Sequence, residues 1–521
     1  MTYDFIVIGA GSAGCVLANE LSRSGRHQVL VLEAGGPDDK QEVGIPAAFS
    51  KMFRTEVDWD YATTAQRHLE GRSLFWPRGK MLGGSSSLNA MIYQHGHPST
   101  YDAWEAAGCR GWSYEAMKPH FRALENHHRG APHGTSGGLS VEPLRSPHPL
   151  SHAFVSAGQS LGYPLNDDFS EGDQVGFGLY DVTQRRGVRC SAATAFLKPA
   201  MSRSNLTVKT GAEVTRLRFE GKRCVGVEAR INGALQSFSA GEVISSGGAI
   251  NSPQLLMLSG IGPAEHLAFH GIDVVSDLPG VGENLQDHLF TAICYEVTTG
   301  DSLAAAETAL SIANYLIFKR GLLSSNVGES GGFVRLTDDA VAPEMQFHFA
   351  PGYFIEHGFV KKEGHGFSIG PTLVKVDSRG TIRLRSADHR AQPDIDPAYF
   401  SDERDIERMA QGFEIGRQLA KTPAMQALAG VEVLPGDHVQ TAAEVRDYLR
   451  RNVETLYHPA GTCKMGTDEA AVVDPESLRV RGVEGLRVID TSVMPELVNA
   501  NTMIPTMGIA HMAASRILQA S

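Results

Sequence analysis

Three glycines and one acidic residue near the N-terminus have the spacing of a dinucleotide-binding turn. Gly9, Gly11 and Gly14 follow the apolar run 5–8 as G-x-G-x-x-G, and Glu33 stands 19 residues after the last glycine. In such a turn the first glycine allows the tight bend, the second lets a pyrophosphate approach the backbone, and the third lets helix and strand pack closely. Glu33 can accept hydrogen bonds from ribose hydroxyls and would repel a 2′-phosphate. The pattern therefore predicts a dinucleotide other than NADP, with FAD and NAD as open alternatives.

The elements that must position these residues are a strand, a helix and a second strand. The runs 5–8 and 29–32 predict buried parallel strands, and a helix is expected between them. The N-terminus of that helix would offer free N–H groups and a partial positive charge to phosphates. A similar unit, with strand 243–244, a glycine turn and a helix that opens near Pro253, predicts another close backbone approach to the ligand.

Strand–helix units at both ends of the chain enclose a β-rich middle. Short β-runs with a hairpin turn at 221–223 occupy 206–244, and strand-like alternation runs through 330–400. Further expected elements are helices over 303–320 (buried on one face), 402–421, 441–452 and 505–519, and a last buried strand over 486–489. This order predicts an α/β Rossmann-like domain that carries an inserted α+β domain.

Composition excludes several classes of protein. The 521 residues carry a net charge of −12, which argues against nucleic-acid binding, and 42% of them are hydrophobic, which is too many for a disordered chain. No apolar run reaches the roughly 18 residues of a membrane span, and the start of the chain lacks the pattern of a secretory signal. Six scattered cysteines make no disulfide scaffold, so a reducing cytoplasm is expected, with peripheral membrane association left open.

Five further segments, in order along the chain, carry a resemblance to a known family. They are 79–89 (GKMLGGSSSLN), 248–262 (GAINSPQLLMLSGIG), 278–288 (LPGVGENLQDH), 457–466 (YHPAGTCKMG) and 499–505 (NANTMIP). Together with the N-terminal turn they resemble the glucose–methanol–choline (GMC) flavoprotein oxidoreductases, among them choline dehydrogenases, alcohol dehydrogenases and aryl-alcohol oxidases. The resemblance runs from residue 3 to about residue 518.

The resemblance implies two domains. The FAD-binding domain would consist of 1–155, 190–300 and 453–521, and the substrate domain of 156–189 and 301–452, with an antiparallel sheet that covers the flavin. Members of the family oxidise alcohols by hydride transfer to FAD, so the implied activity is that of an alcohol dehydrogenase or oxidase.

The resemblance identifies His458 as the catalytic base and Asn501 as its partner. Removing hydride from an alcohol carbon requires that the hydroxyl proton leave as well, and histidine has a pKa suited to accepting it. An asparagine can hold the substrate oxygen but cannot take its proton, so His458 is expected to be the sole base. The alternatives are a flavin-dependent lyase or decarboxylase on the same fold, or a non-catalytic flavin-binding module, and the His–Asn pair argues against both.

The glycine turns and the resemblance together imply a set of FAD contacts. They are Gly9, Gly11, Ser12, Ala13, Gly14, Glu33, Ala34, Gly79, Gly83, Gly84, Ser85, Asn89, Ala90, Val214, Ala249, Ser252, Asp490, Asn501, Thr502 and Met503. Some members of the family carry at position 88 a histidine that bonds covalently to the flavin. Leu88 cannot form that bond, so non-covalent FAD is expected.

Aromatic and histidine residues are candidates for the substrate pocket. They are Phe333, Phe347, His348 and Tyr457, and such a wall favours a primary, non-sugar alcohol. The expected electron acceptor is oxygen or a quinone-like molecule, and the oligomeric state is not readable from the sequence.

Two other chemistries are weighed and set aside. The G-x-S-x-G matches at 134–138 and 328–332 lack the strand before and helix after that a serine nucleophile needs. The histidine pairs at 127–128 and 95–97 lack acidic or cysteine partners at metal-site spacing, so they are interpreted as loop histidines and no metal is expected.

Overall fold

Two large sheets carry the fold, and the computed structural model describes residues 2–520. In chain order the strands are β1 (Thr2–Ile8), β2 (Val29–Leu32), β3 (Tyr61–Ala62), β4 (Phe75–Trp76), β5 (Glu125–His127), β6 (Leu139–Val141), β7 (Gly176–Leu179), β8 (Gln184–Arg185), β9 (Val188–Arg189), β10 (Leu206–Lys209), β11 (Ala212–Glu220), β12 (Arg223–Ile231), β13 (Ala234–Ser245), β14 (Ile261–Gly262), β15 (Ser276–Asp277), β16 (Leu289–Phe290), β17 (Ile293–Val297), β18 (Ser330–Val334), β19 (Met345–Ala350), β20 (Gly366–Leu373), β21 (Thr381–Arg383), β22 (Asp394–Asp396), β23 (Ala429–Leu434), β24 (Glu454–Thr455) and β25 (Leu486–Val488).

Helices cover the sheets and connect them. The α-helices are α1 (Ser12–Ser22), α2 (Gln41–Gly44), α3 (Pro98–Ala106), α4 (Tyr114–Leu124), α5 (Pro149–Ser160), α6 (Lys198–Ala200), α7 (Gly248–Leu258), α8 (Ala264–Phe269), α9 (Ala309–Phe318), α10 (Glu403–Ala420), α11 (Pro423–Gln426), α12 (Ala442–Asn452) and α13 (Met503–Ala520). Short 3₁₀ turns lie at Pro46–Met52, Arg67–Leu69, Gly84–Ser87, Leu303–Glu307, Leu322–Ser324, Glu356–Gly358 and Thr491–Val493, and a π turn at Ala193–Leu197.

The first sheet is mixed and has the order β10-β2-β1-β13-β12-β11, with β25 beside β13. Strands β10, β2, β1, β13 and β25 pair in parallel, and β11 to β13 pair antiparallel. Residues 5–8 of β1 and all residues of β2 are buried, as expected for parallel strands covered on both faces. Helix α1 packs against α13, and α13 packs against α4, so helices from both ends of the chain share one layer.

The second sheet is antiparallel and has the order β23-β17-β20-β19-β18-β7, with β16 and β24 attached. Helices α10 and α5 cover it. The predicted combination of a Rossmann-like α/β unit with a second antiparallel sheet is therefore confirmed. Strands β16, β17 and β24 pair in this second sheet, although the boundaries implied by the resemblance assign their residues to the dinucleotide-binding domain.

Two of the predicted helices differ from the structure. Helix α7 begins at Gly248, whose N–H donates to Asp490, and Pro253 lies inside the helix instead of opening it. The interval 303–320 is broken at Thr308, and within α9 Tyr315 alone is buried, so the prediction of a helix buried on one face is wrong. An apolar pattern shows that a helix has a surface that burial would stabilise, but it does not show that other parts of the chain pack against that surface. Among residues 2–520, no helix is long and apolar enough to cross a membrane.

Candidate active site

A cavity of about 610 Å³ lies between the two sheets, at the carboxyl ends of β1, β2 and β13. In open α/β sheets this is the edge where ligands bind. Most of the predicted site residues line it: Gly9, Gly11, Ser12, Ala13, Glu33, Ala34, Gly79, Gly84, Ser85, Asn89, Ala90, Val214, Ala249, Asp490, Asn501, Thr502, Met503, His348, Tyr457 and His458. Gly14, Gly83 and Ser252 lie directly behind this lining.

The first glycine turn combines open space with tight packing. Gly9 has a φ of +90°, and a Cβ on Gly14 would stand 1.9 Å from the Gly9 carbonyl oxygen, so both positions need glycine. Gly11 precedes α1 without a side-chain cap, and none of the described atoms would lie within 4 Å of a Cβ there. Free helix N–H groups beside an open glycine fit the pyrophosphate of a dinucleotide.

Glu33 holds the turn in shape as well as facing the cavity. One carboxylate oxygen accepts the Ala10 N–H at 2.7 Å, and the other accepts the Gly35 N–H at 2.8 Å. Burial raises the pKa of this carboxyl, and the two N–H groups partly oppose that shift. Each oxygen keeps a further lone pair, so Glu33 retains the capacity to accept hydrogen bonds from ribose hydroxyls.

The second glycine-rich segment touches the first. Gly83 has a φ of +88°, and a Cβ on Gly84 would stand 2.8 Å from the Gly11 Cα, so the two loops form one continuous cradle. Arg189 fastens this segment from behind: its Nη1 donates to the Asn89 carbonyl oxygen at 2.7 Å and to Asn89 Oδ1 at 2.8 Å, and its Nε donates to the Val43 carbonyl oxygen at 2.9 Å. Burial lowers the pKa of Arg189 to about 9. Sequence reasoning missed this residue, because no motif includes it.

Asp490 joins the end of β25 to the start of α7. Its Oδ2 accepts the Gly248 N–H at 2.8 Å and the Ser252 hydroxyl at 2.6 Å, and its Oδ1 accepts the Ser492 N–H at 2.8 Å. Burial raises its pKa. The acidic residue and the helix opening thus form the third edge of the cavity, beside Ala249.

His458 and Asn501 lie side by side in the lining of the cavity. Asn501 Nδ2 donates to His458 Nε2 at 3.4 Å, and Asn501 Oδ1 accepts from Gln346 Nε2 at 3.3 Å. The His458 backbone N–H donates to Asp287 at 2.7 Å, which fixes the loop that carries the imidazole. Burial raises the pKa of Asp287 to about 6.

A second histidine sets the tautomer of the first. His288 Nδ1 lies 2.9 Å from His458 Nδ1. Because His458 Nε2 accepts from Asn501, its proton belongs on Nδ1, which donates to His288. Burial, together with the nearby His288, His348 and Arg78, lowers the pKa of His458 well below its usual range. His458 is therefore a neutral imidazole whose Nε2 lone pair faces the cavity.

Asp287 and His288 were not singled out from the sequence, although they end the segment 278–288 that carries part of the resemblance. The acidic residue and histidine stand next to each other directly before strand β16, and this pairing is a signal that could have identified them. Both are fully buried, and His288 also carries a pKa that burial lowers to about 3.

The substrate side of the cavity differs from the prediction at two residues. Phe333 packs against Phe169 and Tyr180, and Phe347 packs against Phe177, so both belong to the hydrophobic core and not to the cavity wall. Side chains alternate along a strand, and His348, the neighbour of Phe347, faces the cavity instead. His348 Nδ1 lies 3.0 Å from Thr372 Oγ1, and its buried Nε2 has no hydrogen-bond partner among the described residues.

Three phenylalanines that were not predicted from the sequence form an aromatic part of the cavity lining. Phe49 and Phe53 come from the 3₁₀ turn Pro46–Met52 and its end, and Phe354 follows β19. Tyr457, which was predicted, packs against Phe53 with ring centroids 5.8 Å apart, and its hydroxyl lies 2.7 Å from His357 Nδ1. Phe49, Phe53 and Phe354 thus give this part of the cavity an apolar surface.

The prediction that the paired histidines lack acidic partners is wrong for three of them. His128 Nε2 lies 2.7 Å from Asp181, and His127 Nε2 lies 3.7 Å from the same carboxylate. His95 Nε2 lies 3.7 Å from Glu125. These acidic residues are distant in sequence, which is why local spacing did not reveal them.

His133 is the charged centre of this histidine cluster. Its Nε2 donates to Asp168 at 2.8 Å, and its Nδ1 lies 3.5 Å from Glu125. Burial disfavours its charged form, yet the two carboxylates raise its pKa to about 9. An imidazolium between two carboxylates accounts for the burial of these groups. The ligating atoms of His95, Glu125 and His133 lie within 4.8 Å of one another, and the absence of a metal stays a prediction.

Comparisons with known proteins agree with this geometry. Residues 3–290 and 376–510 match two family models, both described as GMC oxidoreductase. The chain is 46% identical over 524 residues to an uncharacterized GMC-type oxidoreductase of Mycobacterium tuberculosis (99% of each chain covered). It is 43% identical over 529 residues to an alcohol dehydrogenase [acceptor] of Pseudomonas putida (99% of this chain, 96% of that one). The crystal structure of pyridoxine 4-oxidase from Mesorbium loti is similar, with a TM-score of 0.92 and 33% identity over 99% of each chain.

Proposed function

Since this chain belongs to the GMC oxidoreductase family, whose members bind FAD, we propose that it oxidises a primary, non-sugar alcohol to the aldehyde. The observation that carries the proposal is His458, a neutral imidazole whose Nε2 faces Asn501 at 3.4 Å inside the cavity. The similarity to an alcohol dehydrogenase of Pseudomonas putida supports the substrate class. We also propose the two domains implied by the resemblance, with the residues of β16, β17 and β24 moved to the substrate domain, because these strands pair in the antiparallel sheet.

The chain's own residues bind the alcohol and take its proton. The alcohol oxygen binds beside the contact between Asn501 Nδ2 and His458 Nε2, where Nδ2 donates to this oxygen in place of Nε2 and Nε2 accepts the hydroxyl proton. Bound FAD supplies the acceptor for the hydride that leaves the carbon bearing this hydroxyl group. The alcohol thus loses one proton from oxygen and one hydride from carbon. The Nδ1–H of His458 keeps donating to His288 Nδ1, and this hydrogen bond holds the ring in place while Nε2 becomes protonated.

The cradle fits a non-covalent dinucleotide. Gly11 and Gly84 leave the backbone open to phosphates, and Glu33 is placed for ribose hydroxyls. Leu88 lines the cavity and offers no atom for a bond to the flavin, which supports dissociable FAD. The six cysteines are all unpaired and buried, which supports the reducing compartment expected from the sequence.

The aromatic wall supports a non-sugar substrate. Phe49, Phe53 and Phe354 offer apolar surface where a sugar would need several hydrogen-bond partners. His348, whose buried Nε2 has no hydrogen-bond partner among the described residues, and Asn501 line the same cavity as the base, and together they are enough to hold one hydroxyl group. An alcohol with one hydroxyl on an apolar or aromatic body matches this arrangement.

Anaerobic mixing of the flavoprotein with a panel of primary alcohols tests the proposal. Bleaching of the flavin absorbance, lost in His458→Ala with FAD content unchanged, is the expected result. If no alcohol bleaches the flavin and His458→Ala retains activity on another substrate, the alcohol mechanism is wrong and the lyase, decarboxylase or flavin-binding alternatives stand. Turnover in air with peroxide release identifies oxygen as acceptor, and turnover only with an artificial acceptor identifies a dehydrogenase.

A further inference from the structure

Helix α9 presents an apolar surface that the described chain does not cover. Leu310 is 82% exposed, Leu316 62%, Ile317 70% and Phe318 60%. Single exposed apolar residues are ordinary, but a run of large ones on one helix marks an interaction surface. Alanine-rich turns and a cap by Thr308 start the helix, so it is formed and not a frayed loop.

One buried side chain fastens this exposed helix to the cavity wall. The Tyr315 hydroxyl donates to the carbonyl oxygens of Gly44 at 3.0 Å and Gly187 at 3.1 Å. Gly44 lies two residues before the start of the turn Pro46–Met52, whose Phe49 lines the cavity. The apolar surface therefore stands next to the aromatic side of the substrate cavity.

Basic residues flank the helix, in a chain whose net charge is −12. Lys319 and Arg320 directly follow α9. At the other end of the helix, Lys51 pairs with Glu307 at 2.6 Å. Lys51 lowers the pKa of the Glu307 carboxyl most, and the charge of Lys361 lowers it further. An apolar helix surface with lysine and arginine at both ends of the helix is typical of a helix that lies in the interface of an anionic membrane.

We propose that α9 docks this protein on an anionic lipid surface, with Leu310, Leu316, Ile317 and Phe318 in the bilayer interface and the basic residues against the headgroups. A second copy of the chain is the competing occupant. About a two-fold axis near the C-terminal end of α9, Lys319 and Arg320 of both copies would meet, and like charges across an interface are unfavourable. The docked orientation would place the aromatic end of the cavity beside the lipid, where apolar alcohols and quinone-like acceptors dissolve.

Vesicle sedimentation of the purified flavoprotein tests the proposal. The protein is expected to sediment with vesicles of equal parts phosphatidylcholine and phosphatidylglycerol, and to stay in solution with phosphatidylcholine alone. The triple variant Leu316→Asn, Ile317→Asn, Phe318→Asn should reduce the bound fraction at least about tenfold. Phe269→Asn, which removes an 83% exposed apolar residue from α8, is the matched control and should bind as the parent protein does.

A charge variant keeps the helix intact and guards against misfolding of the triple variant. Arg320→Glu with Lys361→Glu should weaken binding to the anionic vesicles by a similar factor, and 0.5 M salt should weaken it in the parent protein. Flavin content and turnover of a soluble alcohol should be unchanged in all variants. Absence of vesicle binding, or equal binding by the triple variant, overturns the proposal. So does a dimer in analytical ultracentrifugation that the triple variant splits, because the second copy is then the occupant.

Discussion

The contact between His288 and His458 makes a prediction that separates positioning from catalysis. In His288→Leu the Nδ1–H of His458 loses its acceptor in a fully buried place, 2.9 Å from where His288 Nδ1 stood. Hydrogen bonds to charged groups contribute about 1.5–3 kcal/mol and neutral ones about 0.5–1.5 kcal/mol, so the imidazolium formed in the transition state loses about 1–2 kcal/mol more than the resting imidazole, or about 5- to 30-fold in rate at about 1.36 kcal/mol per tenfold. We expect kcat/KM for the best alcohol substrate to fall within that range.

The double variant gives the decisive comparison. Loss of the base in His458→Ala should lower kcat/KM by about 10²- to 10⁴-fold. Because His288 acts through His458, adding His288→Leu to His458→Ala should change kcat/KM by less than about twofold, far from the product of the two single effects. Steady-state kinetics with an artificial acceptor measure this, and flavin content per protein controls for folding. If the two effects multiply, His288 acts on the substrate independently, and the tautomer argument is refuted.

Three further predictions follow from the glycine turn, the flavin linkage and the histidine cluster. Gly11→Ala should fold with an unchanged thermal unfolding midpoint but bind FAD weakly, because its Cβ meets no described protein atom, whereas Gly14→Ala, whose Cβ would stand 1.9 Å from a carbonyl oxygen, should lose thermal stability as well; equal stability of the two variants would contradict this. Acid precipitation should leave the flavin in the supernatant, since Leu88 forms no covalent bond, and yellow pellets would show otherwise. The pKa of His133 is raised to about 9 from an unfolded value of about 6.5, so its contribution is complete below about pH 6.5 and is lost as the pH rises to about 9. The free energy of unfolding from urea titrations should fall by about 2–3 kcal/mol over that range, and His133→Gln should lack this pH dependence while Asp168 stays in place.

Features with a short repeat along the chain were predictable from the sequence. The turn Gly9–Gly14 and its flanking strands follow from local glycine spacing and apolar runs, and the structure has β1, α1 and β2 at those places. The hairpin at 221–223 was also found, because a turn between two apolar runs is a local signal.

Features that depend on distant contacts were not predictable. Alternation along β19 shows that Phe347 and His348 face opposite sides, but which side meets the cavity depends on how the second sheet is placed. Arg189 contacts carbonyl groups 146 and 100 residues away, and its neighbours in sequence give no sign of them. The exposure of α9 is of the same kind, because a helix pattern does not specify its cover.

The position of β13 has a consequence for the synthesis of the chain. Its carboxyl-terminal half pairs with β1 on one side and with β25 on the other, and the chain from 245 to 486 lies between β13 and β25. At about 5–20 residues per second, a ribosome needs about 12–48 s to make that stretch. During this time the N-terminal strands present an unpaired β13 edge, which is a template for pairing with other chains. A pause in synthesis between β13 and β25 therefore prolongs the exposure of this β13 edge to aggregation, and an early chaperone contact would protect it.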